Sequence, residues 1–347
     1  MIYIRTDANE IIATGHVMRC LTIAQEISEL GSEVCFIVSD EQSLPLICDN
    51  GYRYIVTDSQ WNRVNPQEEF RILKEYINET DTLLVDSYYL NNDYLKCMME
   101  LCKVATFDDL FTEKKDADII INYNIFYKIF NYAERYKNSK SKLLLGESYV
   151  PLRRQFSEIE PLDKVREYMR PTVLLMCGGG DTQNFICSCL GYIRKNDIEL
   201  FRFIDWKVVI GSYYPHEREL DSINSTVNNI EIFKNIKDMA ELMKKCDICI
   251  TAASTVLYEC CAMLLPTIYV TVAKDQVYDA DAFSENQMMI YCGNFQEEKD
   301  KVNKALSQMA RDIINNKQLQ QIMKNKMKII KRNGAKNIAT SLCGGNQ

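Results

Sequence analysis

Apolar residues recur along the chain in two rhythms. Short runs such as "MIYIR", "VCFIV", "YRYIV", "TLLVD" and "KVATFDD" are apolar at consecutive positions, as strands buried on both faces are. Between them the apolar positions spread to helical spacing. The first such stretch runs from about His16 to Leu30, with Val17, Leu21, Ala24 and Ile27 on one face and Gly31 at its end. Further helices are expected near 42–49, 67–79 and 92–102. Strands alternating with helices predict an α/β architecture, with a parallel sheet covered on both sides. After "SKLLLGESYVPLRRQF" the alternation restarts: a helix near 161–169, then "PTVLLMC", "GGGD", a helix over 182–194, "WKVVIG", "CDICIT", "PTIYVTV" and a long C-terminal helix. Two successive α/β domains fit this better than one very wide sheet, the first over 1–155 and the second over 156–340. In such sheets ligands sit beyond the C-terminal ends of strands, so the chemistry is sought in the loops that follow them.

Composition narrows the class. The 347 residues are 47% hydrophobic and 26% charged, the balance of a globular protein. No apolar run reaches the ~18 residues of a membrane helix, and nothing after Met1 reads as a signal peptide, so the expected compartment is the cytoplasm. The net charge of −7 argues against nucleic acid as the main partner. Residues 324–336, "KNKMKIIKRNGAK", carry six basic residues and no acid; this reads as a solvated helix face and allows peripheral contact with an anionic membrane. The 14 cysteines are scattered through periodic segments and are expected as reduced core residues. Cys246 and Cys249 have C-x-x-C spacing with Cys260 and Cys261 nearby, but Cys249 falls in an apolar run, so no metal site is expected.

Five loops carry candidate chemistry. "CGGGD" (177–181) lies between a strand and a helix, where glycine amides and a helix N-terminus suit a phosphate. It matches neither a P-loop nor the G-x-G-x-x-G fingerprint. "TAASTVLYE" (251–259) repeats the arrangement: Ser254 or Thr255 caps the helix or meets a phosphate, and Glu259 is placed to accept from ribose hydroxyls. Asp86, Ser87 and Tyr88 close one strand, and Asp108 and Asp109 close another; paired acids hold a metal or divide acid and base roles, whereas acids at strand ends often only cap the next helix or bond loop amides. Tyr123, Tyr127, Tyr132 and Tyr136 recur at helical spacing, as packing residues do. Of the two histidines, His216 reads as a surface or capping residue. His16 starts a helix after the first strand, where the helix dipole disfavours added positive charge; it reads equally as a cap or as a general base.

Taken in order, "IRTDANEIIATGHVMRC", "LLVDSYYL", "TFDDL", "INYN", "LLLGESYVPLRRQF", "LLMCGGGD", "ITAASTVLYE" and "AKDQ" resemble the UDP-2,4-diacetamido-2,4,6-trideoxy-β-L-altropyranose hydrolases of pseudaminic acid biosynthesis, over residues 1–295. The resemblance implies a glycosyltransferase-B-type fold, two Rossmann-like domains with parallel sheets facing across a cleft. It implies cleavage of the C1–O bond of a UDP-sugar with inversion, needing neither metal nor cofactor. His16 and Tyr88 match the catalytic positions, and Asp7, Arg19, Asp86 and Asn122 match positions facing the sugar. Gly178, Gly179, Gly180, Ser254, Thr255, Glu259 and Gln276 match the nucleotide side. A glycosyltransferase of the same fold is the alternative.

Overall fold

The computed structural model describes residues 1–9, 11–12, 14–178, 181–211, 214–273 and 276–344, except the side chains of Val277 and Asp279. The chain divides into two compact units, Met1–Arg154 together with the chain from Lys331, and Gln155–Ile330. The first unit holds β1 (Ile2–Thr6), β2 (Val34–Val38), β3 (Arg53–Val56), β4 (Thr82–Asp86), β5 (Lys103–Phe107), β6 (Ile119–Asn122) and β7 (Lys142–Leu145), in the order β3-β2-β1-β4-β5-β6-β7. Every pairing is parallel. β1, β2 and β4 are buried at all five positions, which is why their sequences show no alternation.

The second unit repeats the plan with β8 (Thr172–Met176), β9 (Asp205–Ile210), β10 (Ile230–Lys234), β11 (Ile248–Ala252), β12 (Thr267–Thr271) and β13 (Ile290–Asn294), in the order β10-β9-β8-β11-β12-β13, again all parallel. In each sheet the strand order reverses beside the unit's first strand, between β1 and β4 and between β8 and β11. That reversal opens a crevice at the strands' C-terminal ends, the position where doubly wound sheets bind ligands. The loops that flank it carry His16 and Asp86 in the first unit, and Gly178 and Ser254 in the second.

Two elements differ from the sequence reading. No helix forms near 161–169; the stretch runs as irregular backbone, and the short helix before it is Gln155–Glu158. Side-chain ties fasten the stretch to other elements: Arg166 Nε donates to Asp247 (3.0 Å), Tyr168 OH to the Ile314 carbonyl (2.8 Å), and the Gln321 side chain accepts from the Val165 amide (3.3 Å). The expected second domain ran to residue 340, whereas the chain from Lys331 belongs with the first unit. Its helix Gly334–Leu342 packs on the helix Gly15–Glu29. Asn337 donates to the Ser148 carbonyl (2.8 Å) and Lys142 to Ser341 (3.2 Å). Gly334 permits this docking, because a Cβ there would lie 2.5 Å from the Val150 amide nitrogen and closer still to its carbonyl oxygen.

The basic stretch 324–336 is not one solvated face. Lys324 is buried and donates to the carbonyls of Leu162 and Leu264, both at 2.7 Å; burial pushes its ammonium down to about 8. Lys328 pairs with Asp163 at 2.6 Å, and the stretch divides between the two units at Ile330. Among the described residues no helix is long and apolar enough to cross a membrane. Eleven cysteines are buried, Cys292 and Cys343 are half-buried, and Cys48 alone is exposed. A thiol-reactive chromophore is therefore expected to label Cys48 in a fast phase, and the buried thiols only on unfolding. A fast phase of several thiols in the native protein would contradict this packing.

Candidate functional site

The helix Gly15–Glu29 buries Val17, Cys20, Leu21, Ile23, Ala24 and Ile27, and this apolar stripe fixes which way its first turn points. The register that pairs Thr6 with Asp86 sets the loop entering that helix beside the end of β4. His16 Nδ1 lies 2.7 Å from Asp86 Oδ1. Asp86 is only 1% exposed, and Arg19 grips it with two bonds, Nε to Oδ2 at 2.6 Å and a terminal nitrogen to Oδ1 at 2.5 Å. Burial alone would favour the neutral acid; the Arg19 guanidinium, and then His16, outweigh it and hold the carboxyl well below the usual range. A carboxylate only accepts, so it favours the neutral tautomer whose Nδ1–H donates to it, with Arg19 also 3.3 Å from Nδ1; in that tautomer Nε2 carries the lone pair. That is the arrangement of an oriented general base.

The same guanidinium reaches further. Arg19 pairs with Asp109 at 2.8 Å, donates to the Tyr123 hydroxyl at 3.2 Å and stacks 4.0 Å from the Phe107 ring centre. Tyr88 packs edge-on against His16, ring centres 4.7 Å apart, and its hydroxyl donates to Asp109 at 3.2 Å. Desolvation of that hydroxyl, and next the Asp109 carboxylate, push its ionisation far above the usual phenol range. Tyr88 is thus a hydrogen-bond donor and not a proton acceptor at neutral pH.

The structure joins His16, Arg19, Asp86 and Tyr88 in one contact network, but places Asp7 and Asn122 in others. Asp7 accepts from Arg5 (2.6 Å), from the Ser39 amide (2.7 Å) and from the Ser39 hydroxyl (3.1 Å), so both its oxygens are spent anchoring the loop after β1. Asn122 is fully buried, donating to the Tyr132 hydroxyl (2.8 Å) and accepting from the Asn124 amide (3.0 Å). Tyr132 also donates to Asp108 (2.9 Å), whose carboxyl is pushed up by burial. The adjacent acids therefore part: Asp108 turns to Tyr132, Asp109 to Arg19 and Tyr88. Asp109, a candidate acid in the sequence, and Tyr123, expected as a packing residue, both join the network, and with them Phe107, which no spacing selects. The usable signal is topological, since β5 neighbours β4 and carries Asp109 just past its end.

In the second unit Gly178 adopts φ +65°, and a Cβ on it would come 4.0 Å from Ser254 Oγ, so the loops after β8 and β11 adjoin. Gly179 and Gly180 lie outside the described residues. Asp181 is buried and accepts from the amides of Phe185 (2.7 Å) and Ile186 (2.8 Å). The N-terminus of the helix Phe185–Asn196, expected to face an anion, is thus satisfied by the chain's own carboxylate. Ser254 Oγ accepts from the Val256 amide (3.3 Å) at the start of the helix Val256–Ala262; Thr255 beside it is exposed, and Glu259 is half-buried one turn on. Gln276 folds back to accept from the amides of Val272 (2.8 Å) and Ala273 (3.3 Å), bracing the loop after β12. His216 is the N-cap residue of the helix Glu217–Asn224.

Residues 172–342 match the model of the Glycosyltransferase family 28 C-terminal domain. An uncharacterised protein of Methanocaldococcus jannaschii is 29% identical over 290 residues, which is 80% of this chain and 57% of that protein. The chain thus spans little more than half the length of that relative. The UDP-2,4-diacetamido-2,4,6-trideoxy-beta-L-altropyranose hydrolase of Campylobacter jejuni is 25% identical over 263 residues, 75% of this chain and 87% of that one. Among solved structures, MurG of Acinetobacter baumannii superposes with a TM-score of 0.71 over 98% of both chains, at 14% identity. The fold is of the glycosyltransferase-B type. In each Rossmann-like unit of this fold, the strand order given above places the loops after the first strand and after the strand beside it at the crevice of that unit's own sheet.

Proposed function

We propose that the protein is a nucleotide-sugar hydrolase that cleaves the C1–O bond of a UDP-diacetamido-trideoxyhexose, in the making of pseudaminic acid or a related surface polysaccharide. The observation that carries the reading is the His16–Asp86 pair, which leaves one imidazole nitrogen free to take a proton. His16 Nε2 accepts a proton from water as the water oxygen bonds to C1. The C1–O bond to the diphosphate breaks on the opposite face, UDP leaves with the electron pair, and the sugar is released inverted. UDP leaves readily once its charge is met, so a second carboxylic acid of the glycosidase kind is not required. Arg19 and Asp86 hold the base, and Tyr88 lies against the imidazole where the sugar would meet it. Gly178, Ser254, Thr255, Glu259 and Gln276 form the UDP side, with Gly179 and Gly180 assigned to it from the sequence. The similarity to the Campylobacter jejuni hydrolase supports the choice of substrate.

Turnover of the UDP-diacetamido sugar in oxygen-18 water is expected to place the label on sugar C1 and none on UDP. Label on phosphate would mean P–O cleavage and end this mechanism. The match to a glycosyltransferase C-terminal domain supports a second reading, transfer of the same sugar to an acceptor. Release of UDP that rises severalfold only when an acceptor is added would favour it.

A further inference from the structure

Asp109 has no part in the proton transfer described above, yet its geometry is that of a binding group. Its Oδ2 accepts from the Tyr88 hydroxyl at 3.2 Å and forms an ion pair with Arg19 at 2.8 Å. A hydrogen bond and an ion pair on one oxygen orient the carboxylate, and so orient the other oxygen. That oxygen, Oδ1, is buried and has no hydrogen-bond partner, on a side chain only 9% exposed. A buried carboxylate oxygen without a donor is costly in a folded protein and calls for an explanation in the protein's work.

We infer that Asp109 Oδ1 accepts a hydrogen bond from an N–H or O–H on the sugar ring of the nucleotide-sugar substrate. The inference rests on the proposed function. A carboxylate oxygen has no proton to give, so its guest must bring one. A cation is the other chemical guest, but it needs several ligands, and among the described residues no three His, Cys, Asp or Glu side chains converge to hold one. Position supports the sugar: Tyr88 touches His16 with its ring and Asp109 with its hydroxyl, and one Arg19 nitrogen lies 3.3 Å from His16 Nδ1 and 2.8 Å from Asp109 Oδ2, so base and acceptor are near neighbours at the same end of the sheet.

Asp109→Asn tests this. Arg19 and Tyr88 both require an oxygen, so the amide oxygen stays with them and the amide nitrogen replaces Oδ1, setting donor against donor. With the UDP-diacetamido sugar and UDP-N-acetylglucosamine as probes, kcat/KM is expected to fall about 10- to 100-fold, mostly through KM, while UDP affinity stays near wild type and the protein still melts cooperatively, at a lower temperature because Arg19 keeps only Asp86 as its charge partner. Asp109→Ser, which withdraws the oxygen without reversing it, should show the same pattern. Wild-type turnover with unchanged kcat/KM in both variants would overturn the inference and leave the proposed function standing. If the wild type releases UDP from neither probe, the proposed function falls and takes the inference with it. Loss of UDP binding together with cooperative melting in both variants would make Asp109 a structural residue and also overturn the inference.

Discussion

Replacing His16 with Asn is expected to lower kcat for UDP release by roughly a thousandfold while UDP binds as tightly as before. The side chain is half-buried at the start of a helix whose packing stripe lies elsewhere, so its removal leaves the fold in place. Asp86→Asn should lower kcat by about a hundredfold or more, because an amide can stabilise the wrong imidazole tautomer and no longer offers a full charge to the protonated ring. The two residues work as one unit, joined at 2.7 Å, so the double variant should be hardly slower than His16→Asn alone. Steady-state kinetics with calorimetric titration of UDP would check all three. A His16→Asn protein with a tenth or more of wild-type kcat would remove His16 as the base.

The largest stability loss is expected at Arg5, whose side chain is fully buried in β1. Its Nε donates to Glu69 at 2.8 Å, and its terminal nitrogens to Asp7 and to the Ser39 hydroxyl, both at 2.6 Å. Burial opposes the charge, but the two carboxylates prevail and hold the guanidinium ionised. Arg5→Met strips both acids of their partner in a water-poor site and should cost about 3–5 kcal/mol. Adding Glu69→Leu should recover part of that, since one of the stranded charges is then gone. Urea unfolding followed by circular dichroism gives both numbers. An Arg5→Met protein within 1 kcal/mol of wild type would show that the acids find other partners or protonate at little cost. Because Asp7 anchors the loop that leads to His16, the same variant should lose activity before it unfolds.

The two sheets were legible because their inner strands, among them β1, β2, β4, β11 and β12, are buried at every position, and continuous apolar runs bounded by helical patterns have few other readings. His16 was legible as a position, a polar residue at the mouth of a sheet. Its partner's role was not: Asp86 is 70 residues away, and only the register of β1 against β4 makes the two meet. Asp109 is visible as an acid at a strand end and Tyr123 as a packing residue, but their shared partner Arg19 is hidden for the same reason, because pairing across neighbouring strands leaves no periodic trace in the chain. The segment near 161–169 has helical spacing yet forms no helix, since its side chains find partners on other elements that outweigh a short helix's weak intrinsic preference. At "CGGGD" the glycines suit an anion, but the acid that ends the motif, Asp181, takes the helix amides of Phe185 and Ile186 itself, a role the motif's composition does not distinguish from a ligand's.

The helix that bears His16 is backed by Gly334–Leu342. On the ribosome, the base is therefore made well before the surface that steadies it, which emerges only after the whole second unit. A nascent chain halted between Asp86 and that helix carries the imidazole and its carboxylate without their finished support. Activity should consequently wait on synthesis of Gly334–Leu342, and gene fragments cut at the boundary after Arg154 should need the distant segment supplied in trans to behave as the intact first unit does.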